Sequence, residues 1–211
     1  MRMSHMSYAL ALTAACAAAA PAQSVKSSGF EVPADQLSAI RAATEKYRDV
    51  KAAIADGYVL PMQMCVASGN EGLPAQLGAM GLHYVRPDLL KITGQQPRVS
   101  GAGTHTDFLK PSVLIYEPQP DGSQQLVAIE NLVWAKAWKE AGNKGAPAFH
   151  NNEYFYVHDN PDTPVDEAHG FEPHYELHAW LYRENPNGTF AQFNPRATCA
   201  HHKTPAPPAH H

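Results

Sequence analysis

The sequence predicts an α+β fold: a mainly antiparallel sheet, open or barrel-like, with an amphipathic helix on its N-terminal side. Three observations carry that expectation. Residues 33–57 hold a helical period, the chain after Tyr58 changes to short apolar runs parted by Gly, Pro and Asn, and residues 174–182 alternate strictly.

Residues 1–8 carry one Arg and no acid and lead into an alanine-rich run ending in Ala20-Pro-Ala22, the pattern of a secretory signal peptide cut after Ala22. Lipidation at Cys16 is disfavoured, because Thr13 stands where an aliphatic residue is expected. From Pro33 onward Leu37, Ile40, Tyr47, Val50 and Ile54 fall on one helical face, and Gly57 is placed to end the helix. The opposite face, with Arg41, Glu45, Arg48 and Lys51, is mixed charge and reads as solvated.

Strands are expected at residues 82–85, 112–117, 125–134 and 175–183, with a shorter one at 154–157. Pro118-Gln-Pro-Asp-Gly122 should join the second and third of these as a hairpin. After the turn at Asn185-Pro-Asn-Gly188, residues 190–193 should fold back beside 175–183. Residues 91–110 and 143–173 are long connections with little periodicity, which compact domains use as lids or rims. The expected organisation is one domain over residues 23–203 and a Pro- and His-rich disordered tail over 204–211.

The 211-residue chain has a formal net charge of −4 and no basic block, which argues against a nucleic-acid partner. No stretch after the signal approaches the roughly 20 apolar residues of a membrane span. Once Cys16 leaves with the signal, Cys65 and Cys199 are the remaining thiols. In a periplasmic or secreted setting they are expected to pair.

The chemistry concentrates in His174-Tyr-Glu-Leu-His-Ala-Trp-Leu-Tyr182. On a strand His174, Glu176, His178, Trp180 and Tyr182 share one face, and two imidazoles with a carboxylate are metal ligands or proton carriers. His174 and His178, however, lie about 13 Å apart along a strand, too far to meet on one ion. A site therefore needs ligands from other strands. His83, which follows Gly81, and Glu130, a charge inside the apolar run Leu126-Val-Ala-Ile129, are the candidates. The expected metal set is His83, Glu130, Glu176 and His178, with His174 at its edge. The competing reading makes the alternation the wet face of an ordinary half-buried strand. Taken singly, His83 reads as a core histidine and Glu130 as a cap on a sheet edge or a partner for Arg86 or Arg183. His105 with Asp107, and His150, His158 and His169, fall in the long connections and read as solvent-exposed. His201, His202, His210 and His211 form a short tract able to bind metal loosely.

The segments Tyr47-Arg-Asp-Val50, Ala55-Asp-Gly-Tyr58, Gly78-Ala-Met-Gly-Leu-His-Tyr84, Val113-Leu-Ile-Tyr-Glu-Pro118 and residues 174–182, followed by Asn185-Pro and Asn194-Pro, together resemble a family of uncharacterised secreted bacterial proteins. The resemblance spans most of the mature chain. It implies export and a shared fold and assigns no catalytic residue. The His-x-His metal pattern of cupins, the His-Glu-x-x-His zincin signature and the Gly-x-Ser-x-Gly nucleophile elbow are all missing.

Two function classes follow. The first is a periplasmic or secreted protein holding a divalent transition metal (zinc, copper or iron), either for binding alone or as a metal-dependent enzyme. The alternative is a metal-free module that holds a small molecule in an aromatic, His-lined pocket, or an envelope protein with a conventional sheet face.

Overall fold

The computed structural model describes residues 32–203; the expected signal peptide, Cys16 and the 204–211 tail lie outside them. Six strands form one sheet: β1 Cys65–Ala67, β2 Ala79–Val85, β3 Val113–Pro118, β4 Gln124–Trp134, β5 Phe155–Val157 and β6 His174–Ala179. Their order is β1-β2-β3-β4-β6-β5, and every neighbouring pair is antiparallel. The sheet curls strongly into half of a barrel. The α+β expectation therefore holds, and so does the hairpin: Gln119 and Ser123 close the β3–β4 turn, with Gly122 at φ +86°.

The N-terminal helix is not continuous. It divides into α1 Ala34–Thr44, a 3-10 turn Glu45–Arg48 and α2 Val50–Ala55. Asp49 makes the break: its backbone is extended (φ −90°, ψ 110°), and its carboxylate accepts a hydrogen bond from Lys51 N as the cap of α2. The kink seats the helical pair on one face of the sheet, where Tyr47, Ala53 and Tyr58 pack with Leu82, Leu114 and Tyr116. Each large apolar side chain such as Leu82 or Leu114 contributes about 1.5–3 kcal/mol by leaving water. Tyr116 donates its hydroxyl to Tyr47 O at 2.5 Å, fastening helix to sheet.

The other face is also covered. A second apolar cluster there joins Val85, Val113, Leu132 and Trp134 of the strands to Leu90, Val99 and Phe171 of the long connections. Those connections clasp each other: Val99 N donates to Gly170 O, Glu172 N donates to Val99 O, and Arg98 binds Phe171 O and Asp166. The lid or rim expected of these segments is thus a lid. It turns what an antiparallel sheet usually leaves wet into an interior.

β6 ends at Ala179, short of the expected Arg183, because Tyr182 and Arg183 N both donate to Val127 O and the chain bends away. Trp180 keeps the His/Glu face, stacked on His178. Tyr182 does not: it crosses to the helical side and donates its hydroxyl to Arg41 O. Residues 190–193 do lie beside this bend without forming a strand, for Trp180 Nε1 donates to Ala191 O at 2.7 Å. Cys65 and Cys199 form the expected disulfide, tying edge strand β1 to the last described segment.

Candidate metal centre

β6 lies antiparallel to β4 with His178 directly opposite Glu130 and His174 opposite Trp134. His83 lies on β2, beyond β3 from Glu130. At about 4.8 Å per strand step a flat sheet would hold β2 and β4 nearly 10 Å apart, so the curl and the two long side chains together must close the gap. They do: His83 Nε2 is 3.5 Å and His178 Nε2 3.4 Å from the same oxygen, Glu130 Oε2. Gly81 permits the close packing of β2 on β3 just before His83. Its φ is +125°, and a Cβ there would stand 2.6 Å from Tyr116 O.

A second group forms around Glu176. His174 Nε2 lies 3.3 Å and His169 Nε2 3.7 Å from Glu176 Oε2. His169 comes from the lid, held in a left-handed backbone conformation at φ +36°. Its Nδ1 faces Glu71 Oε1 at 3.3 Å. The expected single set therefore divides in two: His83, Glu130 and His178 form one group, while Glu176 and His174 join His169 in the other. His174 is not at an edge, and His169, expected in solvent, is 2% exposed. His150 and His158 are exposed as expected.

The wet-face reading fails on burial, since Glu130, His174, Glu176 and His178 are each 0% exposed. Nor is Glu130 a partner of an arginine: Arg86 binds Asp88 and Arg183 binds Glu117. Interior polar atoms ordinarily pair, because an unmade hydrogen bond costs about 1–3 kcal/mol. Here both oxygens of Glu130, both ring nitrogens of His169 and His178, and His83 Nε2 find no hydrogen-bond partner among the described residues. They approach one another without bonding. Ligands placed tetrahedrally about 2.0–2.1 Å from a metal stand roughly 3.3–3.4 Å apart, close to the 3.3–3.7 Å between each imidazole and its carboxylate in the two groups. The donor set of two imidazoles and one carboxylate in each group fits zinc, iron or copper.

The surroundings orient these groups as outer partners orient metal ligands. His174 Nδ1 donates to Glu172 O at 2.9 Å, which fixes the ring with Nε2 toward Glu176 Oε2. Gln192 Nε2 donates to Glu176 Oε1 at 2.9 Å. Beside the groups is a cavity of about 10 Å³, lined by Met62, Met64, Phe171 and one histidine of each group, His83 and His169. That is room for roughly one water molecule.

Electrostatics set the groups against each other. Burial, with the charge of Glu176, pushes the Glu130 carboxyl well above the usual range. Burial also lowers His83, with His169 and His178 adding to the effect, and it brings His178 down to about 4 against the pull of Glu176. Glu176 is driven up by burial, yet the His174 hydrogen bond and the positive charge of His178 and His169 carry it below its usual range. His169 rises because Glu71 and Glu176 outweigh its burial. A divalent cation would resolve this conflict, since it would let both carboxylates ionise and every imidazole stay neutral. Loading must then expel the protons that Glu130 and His169 hold more tightly than free groups do. Apparent metal affinity is accordingly expected to rise as pH rises through the mildly acid range, with proton release seen by calorimetry in buffers of differing ionisation enthalpy. Affinity independent of pH between about 5 and 7 would contradict it.

No protein-family model matches the chain, no curated protein matches it, and no solved structure matches it. Among the described residues no helix is long and apolar enough to cross a membrane.

Proposed function

We propose that this is a periplasmic or secreted metal-binding protein of the resembling secreted bacterial family, whose interior His/Glu face holds divalent zinc, iron or copper. The single observation that carries the reading is the set of unpartnered ligand atoms on Glu130, His83 and His178, buried with both imidazole nitrogens 3.4–3.5 Å from one carboxylate oxygen, the spacing that ligands around one ion adopt. A bound ion there would polarise an oxygen or activate water, chemistry that would make the protein a metal-dependent enzyme. Export is supported by the N-terminal pattern of the sequence and by the Cys65–Cys199 disulfide, a bond of oxidising compartments. The metal-free alternative has less behind it, because the cavity at the site has room for about one water rather than an organic ligand.

Elemental analysis of protein purified without nickel resin or chelator tests the reading. Metal is expected at a fixed ratio to protein, retained when His201, His202, His210 and His211 are replaced by alanine, and lowered in His178→Ala. Metal that follows the four C-terminal histidines instead would overturn the interior site.

A further inference from the structure

Resting on that metal-binding reading, we infer that the centre is dinuclear: each triad of two histidines and one glutamate takes its own ion, and the cavity beside them, walled by one histidine of each, takes a shared ligand no larger than water or a diatomic or triatomic molecule. The triads are separate in the fold. The first, His83, Glu130 and His178, belongs entirely to the sheet; the second, His169, His174 and Glu176, is completed by the lid. Within each group the donor atoms lie within 4.8 Å of one another. His174 and His178, four positions apart on β6, fall into different triads, and that resolves the separation which forbids one ion from serving both.

Two links join the halves. Glu176 turns Oε2 to its own triad, while its Oε1 lies 3.9 Å from His178 Nδ1, the ring whose Nε2 faces Glu130. That separation is beyond hydrogen-bond reach, but negative charge behind a ligating imidazole raises its basicity, so Glu176 serves one ion as ligand and acts on the other through its charge. The second link is the cavity, which has His83 of one triad and His169 of the other in its wall. Three protein ligands leave each ion an open position, as catalytic sites do. A small ligand in that cavity lies against one ligand histidine of each. The ring centroids of His83 and His169 are 5.3 Å apart, so the halves are near neighbours. The half-buried Met62 and Met64 line the same cavity and narrow it.

The test is titration of the metal-free full chain, with its four C-terminal histidines changed to alanine, by cobalt(II). Bound ion is counted by native mass spectrometry, and visible absorption reports coordination. Two equivalents are expected. His83→Gln and His169→Gln should each retain one, and Glu176→Gln should lose one ion and bind the other about tenfold more weakly. One equivalent in the parent protein would overturn the dinuclear centre while leaving the metal-binding reading intact. No binding at all would overturn both. Two equivalents retained by His83→Gln would also overturn the inference, because the first triad would then not be a site. Azide, a small linear anion, should shift the cobalt spectrum, whereas a bulky phenylphosphonate should leave it unchanged. A spectrum that responds to both would contradict the size of the shared ligand.

Discussion

Glu130→Gln is expected to stabilise the metal-free protein by about 1–3 kcal/mol while abolishing tight metal binding at the first triad. The two effects have one cause. Glu130 is fully buried on the central strand β4, with both oxygens unpartnered and two imidazole nitrogens 3.4 and 3.5 Å away. An amide at that position keeps the shape and can donate to His83 Nε2 or His178 Nε2 without the protonation that burial forces on the carboxyl, so the empty centre relaxes. The same change removes the negative charge that a divalent ion needs. The loaded parent protein should show the reverse. An ion that binds only the folded state adds about 4 kcal/mol when its free concentration is roughly a thousandfold above the dissociation constant. Thermal unfolding with and without chelator reads both: a chelator-sensitive melting temperature in the parent, and in Glu130→Gln a melting temperature above that of the metal-free parent and less sensitive to chelator. If Glu130 were merely structural, the variant would melt below the metal-free parent.

Loss of the disulfide is expected to have the largest effect on stability. Cys65 and Cys199 are separated by 134 positions, and closing a loop of that length restricts the unfolded chain by about 5 kcal/mol in the chain-entropy picture. The folded state loses an anchor as well. The segment ending at Cys199 reaches the sheet through Thr198 N, which donates to Glu117 Oε1, and through the two backbone bonds between Asn194 and Ala79. On the other side of the bond, β1 is an edge strand of three residues held by β2 alone. Cys65 directly follows Met64, so release of the bond also frees the chain that narrows the cavity over His83 and His169. Cys65→Ser with Cys199→Ser is expected to lower the urea midpoint sharply and to speed metal loss to a chelator. An unchanged midpoint would show that the bond constrains nothing the fold does not already hold.

What the sequence revealed depended on the range of each interaction. The alternation in residues 174–178 was legible because side-chain direction on a strand is a local property. Its partners were only partly so: Glu130 betrayed itself as a charge in an apolar run and His83 by its glycine, but their meeting depends on the β2–β3–β4–β6 register, which no local pattern encodes. His169 and Glu71 were missed because each sits in an irregular segment with no period to show which way it points. Gly170 beside His169 and the Gly69-Asn-Glu-Gly72 turn were the local signs of unusual backbone. The division of the N-terminal helix hid behind charge, since Asp49 among Arg48 and Lys51 looks like one more solvated residue until its carboxylate is seen capping Lys51 N. Tyr182 was misplaced because the two-residue period was carried past Ala179, where the backbone turns toward Val127.

The most direct test is a crystal of the zinc-loaded protein, with anomalous diffraction recorded at the zinc edge. The account predicts a peak about 2.0–2.1 Å from Nε2 of His83 and His178 and from an oxygen of Glu130. Anomalous density confined to the C-terminal histidines, or none on the interior face of a protein crystallised with excess zinc, would contradict it.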